Sequence, residues 1–559
     1  MNVPCIFNCV PSKMRTASTY KEFKSAAVVC NNPLSCTVGK NILLEGGSVV
    51  DAAIASMLTL GVVSFQSAGI GGGFFMIYYD ATTGKDYFID AKATAPSQAS
   101  FDSFKDTESR RFARTLGGTS IATPGEVLGY WEAHQRFGKL PWSRLFEPAI
   151  HAAETGFEMT KSCGKWLTRM MRDTNKNEDL RNFLSWPNGT FKQAGDIIKN
   201  EKLAKTLRVI AKEGANAFYK GSLTDSILED IRDGFGFPST ITSKDLEEYK
   251  VLIERSLKIK FDDFALVTTG AHGGGPVLAF ILKILEGYNF DVDDLKNNEI
   301  LTYHRIVEAM KFAFCKRVKL GDPNFHKEVN EIVNKMMSDK YCKTVREKID
   351  DFQTHPKEYY QDSSFATVPD KPGTAHLNVI GEDGSAVSMT SSITYAFGSN
   401  ILGQRTGILF NNQNCAFTID TRENSNNTIE PGKRALSSTT PAIILKKSSD
   451  GTKVKMITGG AGSSRIINSI AMTIMQHFWF GKSIDEAVRS KRLHHAWEPN
   501  ILYVQEGTKE EIMRGLKDLG HEVDVEQDFL TSVQTIARLD DGTIAAKCDD
   551  RRESSPDGY

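Results

Sequence analysis

The sequence predicts an α+β protein in which a mostly antiparallel sheet is covered by helices, and three observations lead to this fold class. Helical patterns fill most of residues 125–345, strand patterns dominate from residue 374 onwards, and no regular strand–helix alternation runs along the chain. Strands and helices in long separate blocks are typical of α+β folds, whereas a parallel sheet needs a repeated strand–helix–strand order.

The first regular elements are predicted before residue 93. Residues 37–63 predict a helix with an alanine-rich face, because their apolar residues recur at helical spacing. The glycines at 69–73 lead into the apolar strand FFMIYYD, which ends at Asp80. Residues 86–92 predict a second strand with Lys92 at its end. Together these segments predict a hairpin packed against a helix.

The second half of the chain contains the clearest hairpin. Residues 346–373 are polar and lack a clear period, so we expect a mobile, exposed segment there. TAHLNVI and SAVSMTSSIT then flank the turn Asp383–Gly384, and apolar alternation on both sides of an Asp-Gly pair indicates a β-hairpin. Further strands are predicted at PAIILKK and KVKMITGG, followed by a helix at INSIAMTIMQHFWFG.

Composition excludes several classes of protein. A net charge of −1 over 559 residues argues against a nucleic-acid partner, which favours a basic surface. Nine cysteines without a CxxC pair, and a His494–His495 pair without spaced companions, argue against a metal site. The glycine runs do not complete a dinucleotide or P-loop motif. We therefore expect neither a metal nor a cofactor.

Residues 1–24 are treated as an N-terminal segment with no clear signal or transmembrane helix. No run approaches the ~20 apolar residues that cross a bilayer, so no membrane span is expected. MNVPCIFNCVPSK is too short and too broken for a signal-peptide core. Asn188 and Asn426 begin glycosylation triplets, which favour an extracellular location, and the cytoplasm remains the alternative.

Thr374 stands at the first position of the predicted hairpin, directly after Pro372–Gly373. A threonine hydroxyl is a poor nucleophile at neutral pH and needs a base beside it. The free α-amine of the same residue, with a pKa near ~8, would serve if the chain were cut before Thr374. Gly373 has no Cβ, so its carbonyl could be approached at low steric cost. An ordinary strand start is the alternative interpretation of the same pattern.

The residues around Thr374 belong to a longer series of recognisable segments. The stretch GTAHLNVIGEDGSAVSMTSSITYAFGS, together with GGSVVDAAIASML, SAGIGGGFF, TYHRIVEAMKFAF, LGDPNF, GILFNN, PGKRALSS and DDRRESSPDGY, resembles the γ-glutamyltransferase (γ-glutamyl transpeptidase, glutathione hydrolase) family in family order. The resemblance runs from about residue 25 to Tyr559. It implies the N-terminal-nucleophile αββα sandwich, a single intertwined domain in which self-cleavage separates a heavy chain (25–373) from a light chain (374–559).

The resemblance also implies a reaction and roles for particular residues. Thr374 would attack a γ-glutamyl amide such as glutathione, and water or an acceptor amino acid or dipeptide would release the acyl group. The turn Gly459–Ser463, with Gly462 and Ser463 at its end, would donate backbone N–H groups to the oxyanion. Ser437 and Ser438 match the pair that holds the substrate's α-carboxylate.

Five places in the implied site depart from the family pattern. Lys92 replaces the arginine that pairs with the substrate carboxylate, and loses the two-pronged hydrogen bond. Ser392 replaces the threonine that supports the nucleophile, and Ser463 replaces a glycine. The fourth departure is Thr394, which replaces an asparagine. The fifth is Cys415 with Ala416, which replaces the acidic pair whose second member receives the substrate's α-ammonium. Gln413, in the same segment, still matches one family variant. Removing the partner of a buried charge costs ~2–5 kcal/mol.

Three hypotheses therefore remain open from the sequence. The first is an active γ-glutamyl hydrolase or transferase with weakened recognition of the amino group. The second is an amidase of the same chemistry for an acyl group without an α-ammonium. The third is a non-catalytic relative that acts by binding. Self-cleavage needs Gly373, Thr374 and the local turn, and does not need the ammonium site.

Overall fold

The computed structural model describes residues 18–101, 113–174, 177–232, 237–360, 373–418, 425–449, 451–529 and 531–559. These residues form two seven-stranded antiparallel sheets and two smaller ones. The predicted α+β class with a mostly antiparallel sheet is confirmed.

The strands are numbered in chain order. They are β1 (Tyr20–Phe23), β2 (Ala27–Cys30), β3 (Gly73–Asp80), β4 (Lys85–Ala91), β5 (Phe157–Glu158), β6 (Ile197–Ile198), β7 (Leu252–Glu254), β8 (Leu257–Lys260), β9 (Ala265–Thr268), β10 (Gly373–Ile380), β11 (Ala386–Thr394), β12 (Ala442–Ser448), β13 (Gly451–Ala461), β14 (Leu493–His494), β15 (Leu502–Gln505), β16 (Val523–Glu526), β17 (Ser532–Arg538), β18 (Ile544–Lys547) and β19 (Asp557–Gly558).

The helices are numbered in the same way. They are α1 (Pro33–Leu44), α2 (Val49–Val63), α3 (Glu126–Phe137), α4 (Glu147–Thr155), α5 (Lys161–Thr174), α6 (Glu178–Phe183), α7 (Glu201–Glu213), α8 (Asn216–Lys220), α9 (Thr224–Arg232), α10 (Ser243–Glu247), α11 (Gly275–Glu286), α12 (Asp294–Asn297), α13 (Glu299–Arg317), α14 (Glu328–Met336), α15 (Asp339–Arg346), α16 (Arg465–Phe478), α17 (Ile484–Arg489) and α18 (Glu510–Asp518).

The two large sheets pack face to face between two layers of helices. One sheet has the order β1-β18-β17-β13-β12-β9-β8 and the other β19-β2-β10-β11-β3-β4-β7. Helices α1 and α2 cover the sheet that contains β10, and α11 and α16 cover the sheet that contains β13. This helix–sheet–sheet–helix arrangement is the predicted αββα sandwich. In both sheets, strands that precede Gly373 lie beside strands that follow it.

The layers are held together by buried apolar residues on both faces of each sheet. A cluster that includes Phe75, Ile443 and Ile536 fills the space between the sheets. Separate clusters join each sheet to its own helical layer. Because both faces of the central strands are buried, their side chains alternate between two apolar environments. This burial places β10 and β11 at the centre of the molecule.

The hairpins agree with the sequence prediction, and one predicted helix divides into two. β10 pairs with β11 across the Asp383–Gly384 turn, and β3 pairs with β4. The region predicted as a helix over 37–63 forms α1 and α2, because Ser48 caps α2 and Asp51 returns the hydrogen bond in a capping box.

The prediction of mainly helical structure over 125–345 was incomplete. It missed five short strands within that range, β5 to β9. Strands of two to four residues are too short to show a clear period of two. β8 and β9 are therefore recognisable as part of a sheet only through their pairing with each other and with β12.

Parts of the exposed segment predicted over 346–373, and the N-terminal segment before residue 18, lie outside the described residues. Among its described residues Phe352 is 85% exposed, in agreement with the prediction, whereas Tyr360 is 3% exposed. None of the described helices combines the length and apolar character that a membrane span requires.

Candidate active site

Thr374 lies at the start of β10, where the ladder with β11 is irregular. Gly373 is paired with Thr394, but Thr374 is paired with Ser392, so Ile393 is an extra residue on β11. A bulge of this kind bends the strand and changes the direction of nearby groups. Thr394, at the end of the bulge, has a φ of 79°, which is strained for a residue with a Cβ. The irregularity thus coincides with the Gly373–Thr374 peptide bond.

The hydroxyl of Ser392 connects the two residues of this bond. Ser392 Oγ donates to the carbonyl oxygen of Gly373 at 2.8 Å and lies 3.1 Å from Thr374 Oγ1. It also accepts from the Thr394 N–H at 2.9 Å. A serine hydroxyl has one proton. Since that proton is directed to the Gly373 carbonyl, Thr374 must donate its own proton to Ser392 Oγ.

Gly373 is required at its position by the backbone that passes above it. A Cβ placed on Gly373 would lie 2.1 Å from the carbonyl oxygen of Tyr395 and 2.8 Å from the nitrogen of Ala396. These are backbone atoms, so the contact cannot be relieved by a change of rotamer. The glycine selected from the sequence as easy to approach is therefore also the residue type that this packing permits.

A cleft of about 530 Å³ opens beside Thr374. Most of the residues selected from the sequence line it, although they lie far apart along the chain. The lining residues are Lys92, Arg317, Thr374, Ser392, Thr394, Cys415, Ala416, Leu436, Ser437, Ser438, Thr439, Ser463 and Ile466. Gly462 and Gln413 are not among them, and both are buried.

Gln413 supports the cleft by holding two of its lining residues. Lys92 Nζ donates to Gln413 Oε1 at 3.1 Å, and Gln413 Nε2 donates to the carbonyl of Ser392 at 2.8 Å. The Lys92 backbone N–H is held by Asp90, whose carboxylate lies 3.2 Å from Arg434. Burial alone would raise the pKa of Asp90, but Arg434 and His272 lower it below its ordinary value. An ionised Asp90 thus fixes the start of the Lys92 segment.

Ser437 and Ser438 occupy the wall near a second cation that sequence reasoning missed. Ser437 Oγ donates to Thr439 Oγ1 at 2.9 Å. Arg317, the last residue of α13, donates through Nη2 to Ser438 Oγ at 2.9 Å and lines the cleft. A basic residue at a helix C-terminus is usually a partner of the helix dipole. For that reason the sequence carried no signal that Arg317 belongs to the site.

The predicted oxyanion turn is shorter than the sequence suggested. Gly459 and Gly460 belong to β13, where Gly459 makes room for the ring of His376. Only Gly462, with a φ of 129°, and Ser463, with a φ of 73°, form the turn into α16. The N-terminal end of a helix carries a partial positive charge, which favours a developing oxyanion. Ser463 lines the cleft at that end.

The segment around Ala416 forms the opposite wall. Gln413–Ala416 is one short 3-10 turn, and Cys415 and Ala416 both line the cleft. Behind it, Arg114 Nη2 donates to the carbonyl oxygens of Cys415 and Phe417, each at 3.2 Å. Asp420, the next acidic residue along the chain, lies outside the described residues. The turn expected to receive an ammonium group thus has the carbonyl of Cys415, and that of Phe417 directly after the turn, directed to a guanidinium.

Glu126 is a buried carboxyl group directly behind the reactive strand. It accepts from the hydroxyl of Ser391, at 2.7 and 2.9 Å to its two oxygens, and from Tyr130. Burial raises the pKa of Glu126 to about 8, although both hydroxyl partners act in the opposite direction. Ser391 precedes Ser392 on β11, so Glu126 anchors the strand that carries the Ser392 hydroxyl.

One group of side chains in the described part of the chain has the composition of a metal site. His304, Glu308 and His521 bring nitrogen and oxygen atoms within 4.8 Å of one another. His304 Nε2 lies 2.7 Å from the Asp350 carbonyl, which can only accept, so His304 Nδ1 accepts from His521 Nε2 at 2.8 Å. The Lys311 ammonium lies 3.2 Å from Glu308. These contacts already use the atoms that would bind an ion.

The two glycosylation candidates differ in accessibility. Asn188 is exposed. Asn426 is partly buried, and its amide nitrogen donates to the carbonyl of Lys319 at 2.9 Å. Glycosylation of Asn426 would break this hydrogen bond, whereas the side chain of Asn188 is accessible to a modifying enzyme.

The fold and the site together define a class of protein: a four-layer αββα sandwich in which a threonine at a strand start faces a cleft. The sequence pattern of the family described as Gamma-glutamyltranspeptidase matches residues 35–559. The chain belongs to the gamma-glutamyltranspeptidase family.

Individual relatives cover nearly the whole chain. Scoloptoxin SSD14 of Scolopendra dehaani is 34% identical over 98% of this chain and 95% of its own. Glutathione hydrolase 5 proenzyme of Rattus norvegicus is 33% identical over 96% of this chain and 93% of its own. Thus relatives at similar distances carry different kinds of name, one a toxin and one a hydrolase proenzyme.

Solved structures support the fold. A cephalosporin acylase from Bacillus halodurans superposes with a TM-score of 0.84 at 24% identity, covering 99% of this chain and 98% of its own. A Helicobacter pylori gamma-glutamyltranspeptidase chain gives a TM-score of 0.55 at 28% identity over 59% of this chain and 93% of its own. At 24% identity, the first likeness concerns the fold alone.

The raised pKa of Glu126 predicts a pH-dependent stability. Between pH 4.5, its ordinary pKa, and about 8, the folded state holds a proton that the unfolded state has lost. The free energy of unfolding therefore falls as pH rises through this window, by up to about 1.4 kcal/mol per pH unit, and levels off above it.

The side chain in Glu126→Gln cannot titrate, so we expect this variant to lose the pH-dependent contribution. Urea unfolding of both proteins from pH 5 to 9 measures the difference. Glu132→Gln, on the exposed side of α3, is the control and should keep the wild-type slope. An unchanged slope in Glu126→Gln would contradict the interpretation.

The positive φ of Ser463 predicts that replacement of this residue by glycine stabilises the folded protein. A residue with a Cβ costs roughly 1–2 kcal/mol in the left-handed conformation, and the larger unfolded-state entropy of glycine offsets part of the gain. Ser463→Gly should raise the free energy of unfolding by about 0.5–1 kcal/mol. Ser464, with a φ of −58°, supplies the matched control, and Ser464→Gly should lower stability. If denaturant unfolding shows the same loss in both variants, Ser463 is not strained.

Proposed function

We propose that the chain is a proenzyme that cleaves itself between Gly373 and Thr374 and then acts through Thr374 as a γ-glutamyl hydrolase or transferase. The observation that carries the proposal is the contact of the Ser392 hydroxyl with both partners of the bond, the Gly373 carbonyl and the Thr374 hydroxyl. The family and its relatives named as glutathione hydrolases support it.

Self-cleavage would begin with attack of Thr374 Oγ1 on the Gly373 carbonyl carbon. The Ser392 hydroxyl polarises this carbonyl and, in donating to it, leaves its own oxygen to accept from Thr374. The C–N bond then breaks, the nitrogen gains a proton, and an ester joins Gly373 to Thr374 Oγ1. Water hydrolyses this ester. The products are a heavy chain that ends at Gly373 and a light chain that begins with the free α-amine of Thr374.

In the mature protein the new α-amine would act as the base. It accepts the Thr374 hydroxyl proton while Oγ1 attacks the amide carbon of the donor, and the oxyanion faces Ser463 at the start of α16. Collapse breaks the amide bond, and the departing amine takes the proton. Water or an acceptor amine then attacks the acyl-enzyme and releases Thr374. Each step uses groups of this chain and balances without a cofactor.

Recognition of the donor would combine Lys92 with Ser437 and Ser438 at the carboxylate end of the acyl group, and Arg317 strengthens the positive charge there. A second candidate function is favoured by one observation, the methyl group of Ala416 on the wall where the resemblance implies a carboxylate. On that reading the donor acyl group has a carboxylate but no α-ammonium, as a glutaryl group does.

Cleavage is tested on a denaturing gel with terminal sequencing. Wild type should yield two fragments, the smaller beginning at Thr374. Thr374→Ala and Gly373→Ala should stay intact, the first for lack of a nucleophile and the second because its Cβ meets Tyr395. Ser392→Ala should cleave at least tenfold more slowly, since losing one such donor to a developing oxyanion costs about 3 kcal/mol in other acyl transfers.

Ser388→Ala is the matched control for this series. It removes a hydroxyl from the same strand, where Ser388 donates to Thr458 and not to Gly373. It should cleave at the wild-type rate. A wild-type protein that remains a single chain would remove the catalytic proposal and favour a non-catalytic binding protein.

The position of Arg317 in the cleft predicts that its replacement weakens discrimination between donors with and without an α-carboxylate. We compare γ-glutamyl anilide with 4-aminobutyryl anilide, which lacks the α-carboxylate, and with glutaryl anilide, which lacks the α-ammonium. Arg317→Met should lower the ratio of kcat/KM between γ-glutamyl and 4-aminobutyryl donors by about tenfold or more, equal to at least ~1.4 kcal/mol. Arg305→Met, on the same helix but outside the cleft lining, should keep the ratio. An unchanged ratio in Arg317→Met would exclude the assignment. A wild-type preference for the glutaryl donor would favour the second candidate function.

A further inference from the structure

Three buried cysteines meet beside β10, the strand that carries Thr374. Cys30 ends β2, Cys36 lies near the start of α1, and Cys548 directly follows β18. Each is 0% exposed, and all three are thiols in the structure. Cys30 Sγ lies 3.0 Å from Cys36 Sγ, and Cys548 Sγ lies 3.6 Å from the carbonyl oxygen of Cys30. A cluster in which two thiols are in direct contact is a candidate disulfide site.

The backbone between Cys30 and Cys36 is fixed by the cap of α1. Asn32 is the N-cap residue, its side chain accepts from the Leu34 N–H at 3.0 Å, and Pro33 follows in the first turn. The Asn32 carbonyl oxygen accepts from the Cys36 N–H at 3.3 Å and from the Cys30 thiol at 3.0 Å. Both cysteines thus contact the same backbone oxygen, which holds them in a fixed relation.

The two sulfur atoms need little movement to form a bond. Sulfur atoms in a disulfide lie about 2.05 Å apart, so Cys30 Sγ and Cys36 Sγ would have to approach by about 1 Å. Since the Cys30 thiol directs its proton to the Asn32 carbonyl, the Cys36 thiol donates in the contact between the two sulfurs. The ring would enclose the capped segment 31–35, whose conformation already brings its ends together.

Cys548 is the less favourable partner for Cys36. Cys30 and Cys36 belong to the apolar cluster between their sheet and its helices, whereas Cys548 belongs to the cluster between the two sheets. The Cys548 thiol is also directed to a backbone oxygen, that of Cys30. The two pairings are distinguishable by the segments of the chain that they join.

The loop between the two cysteines holds the start of β10. Asn31, directly after Cys30, accepts through Oδ1 from the His376 N–H at 2.7 Å. Cys30 itself pairs with Leu377. The loop thus anchors β10 within a few residues of Thr374.

We propose that Cys30 and Cys36 form a disulfide when the protein is made in an oxidising compartment, and that this disulfide fixes the loop that holds the start of β10. A covalent bond across segment 31–35 limits the conformations open to Asn31. The inference goes beyond the proposed function and does not depend on it, since the disulfide would form whether or not the bond before Thr374 is cut.

Formation of the bond needs an oxidant, and the oxidant is a second disulfide. The Cys36 thiolate attacks one sulfur of the oxidant, a mixed disulfide forms, and the first oxidant thiol leaves. The Cys30 thiolate then attacks the Cys36 sulfur of the mixed disulfide and displaces the second oxidant thiol. The two protein thiols lose two electrons and two protons, and the oxidant is reduced to two thiols.

Burial decides when this exchange takes place. Burial, together with the neighbouring Cys30, raises the pKa of Cys36 well above its ordinary value, so the folded thiol is a poor nucleophile. We therefore expect oxidation before α1 packs on the sheet, and we expect the finished bond to resist reductants until the chain unfolds.

The first test is the oxidation state of each cysteine. The full chain is exported to the bacterial periplasm behind an added signal sequence, denatured with excess iodoacetamide and no reductant, and digested with trypsin. Cleavage after Lys24 and Lys40 places both cysteines in one fragment, 25–40. We expect this fragment to carry no alkyl group and to be lighter than its reduced form by two hydrogen atoms.

Two other fragments serve as internal controls. Fragments 162–165 and 548–551 contain Cys163 and Cys548, and each should carry one alkyl group. Two alkyl groups on fragment 25–40, or a bond between this fragment and 548–551, would overturn the inference. Because this test uses wild type, it remains decisive if a variant fails to fold.

The second test asks whether the two sulfurs act as one unit. Hydrogen exchange of segment 374–380 is measured by mass spectrometry in Cys30→Ser, Cys36→Ser and the double variant. Each single change should accelerate exchange there by roughly fivefold or more, because either one removes the bond. The double variant should add nothing further. Effects that multiply in the double variant would indicate two independent thiols and contradict the disulfide.

Cys342→Ser is the matched control. Cys342 is 2% exposed on α15, and its thiol donates to the Met336 carbonyl at 3.2 Å. The change replaces a buried thiol outside the cluster, so exchange of segment 374–380 should equal that of wild type. Acceleration of the same size in Cys342→Ser would show that the loss of any buried thiol loosens β10, and the proposed role of the disulfide would fall.

Discussion

The single proton of the Ser392 hydroxyl is the constraint on which the site depends. Because it is directed to the Gly373 carbonyl, the Thr374 hydroxyl must donate in turn, and one side chain contacts both the carbonyl of the Gly373–Thr374 bond and the threonine hydroxyl. This geometry exists only where the β10–β11 ladder is irregular. In a regular ladder Thr374 would pair one residue further along β11, and the Ser392 hydroxyl would not reach both groups.

The surrounding structure holds this irregularity in place from several directions. Gln413 binds the Ser392 carbonyl, Glu126 binds the neighbouring Ser391, and the backbone at Tyr395 packs directly against Gly373. The strained φ at Thr394 persists because these contacts together hold the backbone of this segment in one conformation.

Charge divides the surroundings of Thr374 into two regions. Lys92 and Arg317 line the cleft beside Ser438, and Arg552 lines a second cavity that Thr374 also borders. Thr374 thus has a cationic side chain in the wall on each side of it. On the cleft wall, Ala416 stands where the family resemblance implies a carboxylate.

The sequence by itself determined the hairpin, the threonine at its start and the family, because these depend on contiguous residues whose spacing can be read directly. It also selected most of the cleft, since the residues chosen from the sequence line it: Lys92, Ser392, Thr394, Ala416, Ser437, Ser438 and Ser463.

The tertiary structure alone decided which distant side chains meet there. Arg317 ends a helix and Arg552 lies near the C-terminus, and neither position carries a local signal, because a cation gains its role from the walls that surround it. The length of the turn before α16 was likewise decided by pairing, since Gly459 and Gly460 continue β13 only through their pairing with β17.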